Sequence, residues 1–104
     1  MGKMVNGATG TGASGAVVRS GQMPSSIMGY GTTSAGAGAA TINIEVSNDG
    51  VAWVVAGTLS LTLATTITTT TNTDGFTLDA GWPLIRANVT AISGTDAAVT
   101  VTIN

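Results

Sequence analysis

At 104 residues the chain is the size of one domain, and only 8% of it is charged against roughly 25% in ordinary soluble domains, so its surface must be built from Thr, Ser, Asn, Gly and Ala. The three basic residues, Lys3, Arg19 and Arg86, are too scattered to neutralise several phosphates, which argues against a nucleic-acid partner. The composition has no His and no Cys, which excludes Ser-His-Asp and Cys-His catalysis, disulfides, and metal sites built on thiolate or imidazole.

Residues 1–15 place Gly2, Gly7, Gly10, Gly12 and Gly15 among Ala, Thr and Ser, a composition whose side chains cannot offset the entropy of ordering its backbone. This predicts a flexible arm over 1–15, ordered only by a neighbour, and a folded domain over 16–104. The N-terminus has no apolar core of the kind a secretory signal needs, and no apolar run reaches membrane-spanning length, so no membrane partner is expected. Ala16-Val17-Val18 and Ile27-Met28, split by Gly21 and Pro24, predict one or two edge strands. Gly29 to Ala40 predicts a long connection or a loosely paired strand anchored by Tyr30.

From Thr41 the pattern sharpens: Ile42, Ile44 and Val46 share one face, and Thr41, Asn43, Glu45 and Ser47 the other, as in a half-buried strand. Asp49-Gly50 is a strong tight-hairpin signal, after which Val51–Ala56 is expected to form the partner strand, with Trp53 in the core. Leu59, Leu61 and Leu63 continue the alternation. Thr65–Thr73 is almost all Thr, which favours strands but specifies register weakly. Phe76, Leu78 and Ala80 predict a short strand, and Ile85, Ala87, Val89 and Ala91 then alternate with Arg86, Asn88, Thr90 and Ile92. A turn at Ser93-Gly94-Thr95-Asp96 leads to a closing strand with Val99, Val101 and Ile103 inward. Seven or so short strands without a helical period predict an all-β chain, an antiparallel β-sandwich, Ig-like or jelly-roll-like, with a Gly-rich N-terminal arm.

Few residues suggest chemistry. Gly10-Thr11-Gly12-Ala13-Ser14-Gly15 has the letters of a dinucleotide fingerprint without its strand and helix. Glu45, Ser47 and Asp49 mimic the start of a calcium loop, but Ala56 stands where the bidentate glutamate belongs. Asp74 and Asp79 could pair as acids, yet each adjoins or lies near a glycine in turn-forming sequence. Asn88-Val89-Thr90 fits a glycosylation sequon inside a strand. No catalytic residue, metal site or cofactor is expected. Arg86 reads as a cross-strand partner of Glu45 or as a contact between subunits, and Trp53 and Trp82 read as core or, less favoured, as a sugar-stacking platform. Gly10, Gly12, Gly15 and Arg86 are the candidate interface residues.

Ser47-Asn48-Asp49-Gly50-Val51-Ala52-Trp53, the Gly57-Thr58 strand start, Trp82 with Ile85-Arg86-Ala87-Asn88-Val89-Thr90, Ser93-Gly94-Thr95 and the Val-Thr-Val ending together resemble a group of small phage virion proteins. These are β-sandwich modules of capsid decorations, head fibres and tail appendages, and the likeness covers about residues 39–103. The resemblance implies a bacteriophage structural protein located on the capsid surface of the virion. Decoration or cement of the assembled head is the leading expectation, and a receptor- or carbohydrate-binding module of a tail or fibre is the alternative. It implies as partners the major capsid protein or another virion protein, and copies of the chain itself, for instance as a trimer. It carries over no catalytic residues.

Overall fold

Branched aliphatics alternating with Thr, Asn and Ser favour extended backbone, and such a backbone satisfies its polar groups only by pairing with other strands. The computed structural model describes residues 2–15, 17–18, 25–67, 72–78 and 82–104. Among these residues there is no helix, and the strands are β1 (Gly2–Ala8), β2 (Gly12–Ala13), β3 (Val17–Val18), β4 (Ser25–Thr32), β5 (Ala35–Ser47), β6 (Val54–Leu63), β7 (Thr73–Leu78), β8 (Leu84–Thr95) and β9 (Ala98–Ile103). They form two antiparallel sheets that pack as a sandwich, ordered β1-β9-β4-β7 and β2-β8-β5-β6, with β3 also on β8.

Of the two sandwich families left open by the sequence, this order is that of a jelly roll. In an Ig sandwich the last two strands are neighbours in one sheet. Here β8 and β9 lie in opposite sheets, and the chain also changes sheet between β1 and β2, β3 and β4, β4 and β5, and β6 and β7, rolling successive antiparallel pairs across the sandwich.

The core lies between the sheets. Ile42, Ile44 and Val46 of β5, Leu59 and Leu63 of β6, Ile85 and Ala87 of β8, and Val99 and Val101 of β9 are fully buried, joined by Ile27 and Leu78 from the β4–β7 pair. Each large aliphatic contributes about 1.5–3 kcal/mol by leaving water. With so few aromatics, close approach has to replace bulk. Gly29 and Gly31 of β4 provide it: a Cβ on either would come within 2.8 Å of Leu59 Cδ1 and 2.9 Å of Leu63 Cδ2, respectively, so the β6 leucines lie directly on the β4 backbone.

Several expectations change. The segment 2–15, expected as a free arm, is part of the sandwich: β1 pairs with β9 (Gly2↔Ile103, Val5↔Val101, Ala8↔Val99) and β2 with β8 (Gly12↔Val89, Ala13↔Asn88). Ser14 fastens its end, its N–H donating to Ala87 O at 2.7 Å and its Oγ accepting from Ala87 N at 2.9 Å. The pairing is made by backbone, so side-chain composition gave no sign of it. Val17–Val18 is indeed an edge strand, but Ile27-Met28 belongs to β4, which is flanked by both β7 and β9. Gly29–Ala40 is no long connection, because β4 runs to Thr32 and β5 begins at Ala35. Arg19, Gly21, Pro24, Asp79, Ala80 and Gly81 lie outside the described residues, as does 68–71 of the Thr run.

The tight hairpin at Asp49-Gly50 is replaced by a wider loop over 48–53, and the partner strand starts at Val54 rather than Val51, which is 85% exposed. The Ser47 hydroxyl accepts from Asp49 N and Gly50 N, and Gly50 takes a φ of 78° that a side chain would resist. In β8 the alternation breaks after Val89: Val89 opposes Ile42 while Ala91 opposes Thr41, so Thr90 is a bulge. Ala91 therefore faces outward and Ile92 packs on the core, the reverse of the expected phase.

The Thr run hides one structural anchor. Asn72 is fully buried, and its Nδ2 donates to Gly31 O at 3.0 Å and Thr66 O at 2.9 Å, while Gly31 N donates to Asn72 O at 3.2 Å. Replacement of Asn72 by Ala leaves buried carbonyl capacity unmet and is expected to cost about 1–3 kcal/mol. Urea unfolding checks this: a lower midpoint with unchanged slope is expected, and an unchanged midpoint would show that the clasp adds nothing.

Candidate interaction surface

The outer face of the β8-β5-β6 part of the sandwich is set by register. Inward Ile42, Ile44, Leu59, Leu61 and Leu63 force the alternate positions outward, producing rows Thr62–Ala39–Ser93, Ser60–Thr41–Ala91 and Thr58–Asn43–Asn88 across three strands. These nine residues are half-buried or exposed, and none is charged. Hydroxyls, amides and methyls make a flat face, with Thr58 Oγ1 donating to Asn43 Oδ1 at 3.0 Å and Thr90 Oγ1 donating to Thr41 O at 3.2 Å.

One charged cluster bounds this face. Glu45 stands directly opposite Arg86, whose Nε donates to Glu45 Oε1 at 2.6 Å, while Asn88 Nδ2 donates to Oε2 at 3.2 Å. The Arg86 guanidinium also lies 4.2 Å from the centroid of the Trp53 ring. The Glu45 side chain is 11% exposed and that of Arg86 28%. Glu45 is thus more deeply covered than its outward position suggested. Beside it, Val55 is brought to the same face by a bulge in β6, where Ile44 opposes Gly57 but Glu45 opposes Val55. Val54 and Val55 remain 55% and 51% exposed.

Of the two readings of Arg86, the partnership with Glu45 is present in the structure. Ser14, next to Gly15, bonds to Ala87, next to Arg86, and Gly12 opposes Val89, so Gly12 and Gly15 border the same stretch of β8 as Arg86. Gly10 is separate, in the exposed crossover between β1 and β2. Trp53 and Trp82 are half-buried rather than core: Trp53 lies in the 48–53 loop, and Trp82 packs against the rim of the core. Asn88, two residues beyond Arg86 and on the same face, is the one member of the cluster whose bond to Glu45 no charge or motif in the sequence announces.

Asp49 and Asp74 serve the backbone. Asp49 Oδ1 accepts from Val51 N at 2.8 Å, Ala52 N at 3.1 Å and Ser47 Oγ at 3.2 Å. The bonds from Val51, then Ala52 and Ser47, hold its carboxyl below the usual carboxylate value. Asp74 Oδ2 accepts from Ser60 N at 3.0 Å, tying edge strand β7 to edge strand β6 across the sandwich. Gly10–Gly15 is an exposed crossover leading into an edge strand, which lacks the strand-to-helix turn that a dinucleotide site needs. Among the described residues no group of three or more Asp, Glu, His or Cys converges as a metal site. Open clefts among the described residues include one of about 380 Å³ beside Thr9, Ile92, Ser93, Gly94, Asp96 and Ala97, and one of about 370 Å³ beside Met28, Thr73, Asp74 and Gly75.

No family model, no curated protein and no solved structure gives a significant match to this chain.

The cluster at Glu45 has a measurable energetic signature. Removing Arg86 by substitution with Ala leaves a nearly covered carboxylate with Asn88 alone. The cost should fall at about 2–3 kcal/mol, above an exposed pair and below a fully buried one. Trp53→Ala, in a half-exposed loop, should cost less, about 1–2 kcal/mol. A double-mutant cycle by chemical denaturation should find the two losses less than additive, because Arg86 is the contact they share; strict additivity would mean that the stacking contributes no stability.

Proposed function

We propose that this chain is a bacteriophage structural protein, a decoration or cement protein that covers repeated sites on an assembled capsid. The observation that carries the reading is the neutral outer face of Thr, Ser, Asn and Ala across β6, β5 and β8. Such a face costs little to desolvate compared with a charged one and exerts no long-range repulsion on identical neighbours crowded on a shell. The jelly-roll strand order is one that viral coat proteins also use, and the resemblance of residues 39–103 to virion modules points the same way.

The mechanism is mechanical. A protein that binds the assembled shell and not its dissociated parts stabilises assembly by mass action, and many modest contacts repeated over a lattice act together. The major capsid protein and further copies of this chain are the partners. A second reading, a receptor- or carbohydrate-binding module of a tail or fibre, is favoured by one observation: both tryptophans are half-buried instead of being sealed in the core, and the Trp53 ring lies against Arg86 of the polar cluster.

Density and peptide mass spectrometry of particles assembled with this chain distinguish the two. The decoration reading expects the chain at every equivalent position of the head lattice, with the face of Thr58, Asn43 and Asn88 or an adjoining edge against the shell. Absence from the particle would reject both readings, and presence only at a tail or fibre tip would reject decoration in favour of the second.

A further inference from the structure

We propose that β1 is an exchangeable strand, which leaves β9 of its own chain and fills the same place on β9 of a second copy. The partner is a second copy because the groove and its occupant are both written in this chain: the edge of β9 that β1 covers is identical in every molecule.

Three features of the closed form make β1 the element that leaves. Its register on β9 slips twice, between Lys3 and Val5 and between Val5 and Ala8, so its ladder is interrupted where that of β5 on β8 runs unbroken from Ile42 to Ser47. From its described side chains only Val5 and Ala8 reach the core, and both are half-buried. Among the described residues, Gly7 N also donates to Thr100 Oγ1 at 3.1 Å.

The connection to β2 is built like a hinge. Thr9, Gly10 and Thr11 are all exposed, and they carry the chain from one sheet to the other while reversing its direction, since β1 and β2 run antiparallel to β9 and β8. The sheets of a sandwich lie about 10 Å apart, and the four Cα steps from Ala8 to Gly12 reach about 14 Å at most, leaving little slack for the reversal. Short, strained hinges of this kind favour exchange. Gly7, inside the second register slip, and Gly12, the first residue of β2, take φ values of 69° and 139° that a side chain would resist. An open cleft of about 380 Å³ adjoins Thr9 at the start of the crossover, between it and Gly94. Beyond the hinge the chain is anchored again by the two hydrogen bonds between Ser14 and Ala87.

The exchanged and closed forms contain the same β1–β9 contacts and differ only at the hinge and in the entropy of association. Exchange is therefore governed by local concentration. It is weak for dilute molecules and favoured wherever copies stand side by side, whatever surface holds them there.

The test uses the absence of cysteine in the natural chain. Val5 and Val101 are opposite each other in the β1–β9 ladder. Val5→Cys and Val101→Cys chains, each carrying one thiol, are mixed at high concentration and oxidised. Exchange predicts a mixed Val5→Cys/Val101→Cys covalent dimer several-fold in excess of either homodimer, together with reversible dimers or larger species of the unmodified chain by native mass spectrometry. A monomeric unmodified chain at every concentration would overturn the proposal, even if the cysteine variants folded poorly. So would oligomers whose mixed disulfide stays within the twofold excess over each homodimer that random pairing of the two chains gives, since these would be joined through another edge.

Discussion

The pairing of β5 with β8 is the constraint on which the rest of the molecule depends. Its inner side sets Ile42, Ile44 and Val46 against Val89, Ala87 and Ile85, all of them buried, and its outer side sets Glu45 against Arg86. A slip of one residue would put the aliphatics in water and separate the charges, so the two sides enforce the same register by different physics. Both strands then turn sharply into the opposite sheet. At one corner Thr33 N donates to Ala64 O and Ser34 N to Thr95 O, and at the other Ala97 N donates to Gly94 O, with Asp96 at a φ of 50° and its carboxylate taking the Ser34 hydroxyl. Because β4 and β9 are continuations of β5 and β8, the register of one sheet aligns the other.

Economy of side chains shapes both the core and the surface. With four aromatics and few charges, the chain builds its core from branched aliphatics laid over the bare backbone of Gly29 and Gly31. The outward positions are left to Thr, Ser, Asn and Ala. The few ionised groups are used locally, Glu45 and Arg86 to lock a cross-strand pair, Asp49 to close a loop and Asp74 to tie two sheet edges. What remains toward the outside is a surface suited to contact with other surfaces, and the proposed role in a particle rests on that property.

The parts of the fold carried by side-chain alternation were legible in the sequence. Ile42/Ile44/Val46, Leu59/Leu61/Leu63, Ile85/Ala87/Val89 and Val99/Val101/Ile103 all point into the core as their spacing implies. So was the Glu45–Arg86 pair, since two opposite charges on outward positions of neighbouring strands have few other partners in this chain. The parts carried by backbone were not. β1 and the Gly-rich half of β4 pair through N–H and C=O groups that every residue has, with partners from about forty to about a hundred positions away. Bulges at Thr90 and Ala56 invert the phase by a single skipped residue, which no local preference announces. Asn72 is indistinguishable from its Thr neighbours until Gly31 is brought beside it. The half-buried state of Trp53 follows from the loop that replaced the expected tight turn, and that loop depends on Ser47 and Asp49 side chains bonding locally instead of leaving the chain to reverse in two residues.

Amide hydrogen exchange over the whole chain tests this ordering of constraints most directly. If the β5–β8 ladder is the element on which the others depend, the amides that pair Ile42, Ile44, Ala87 and Val89 should exchange only through global unfolding, while those of Val5 and Gly7 in β1 exchange faster through local opening. Exchange of the β5–β8 amides at the rate of β1, or protection of β1 equal to theirs, would contradict the account.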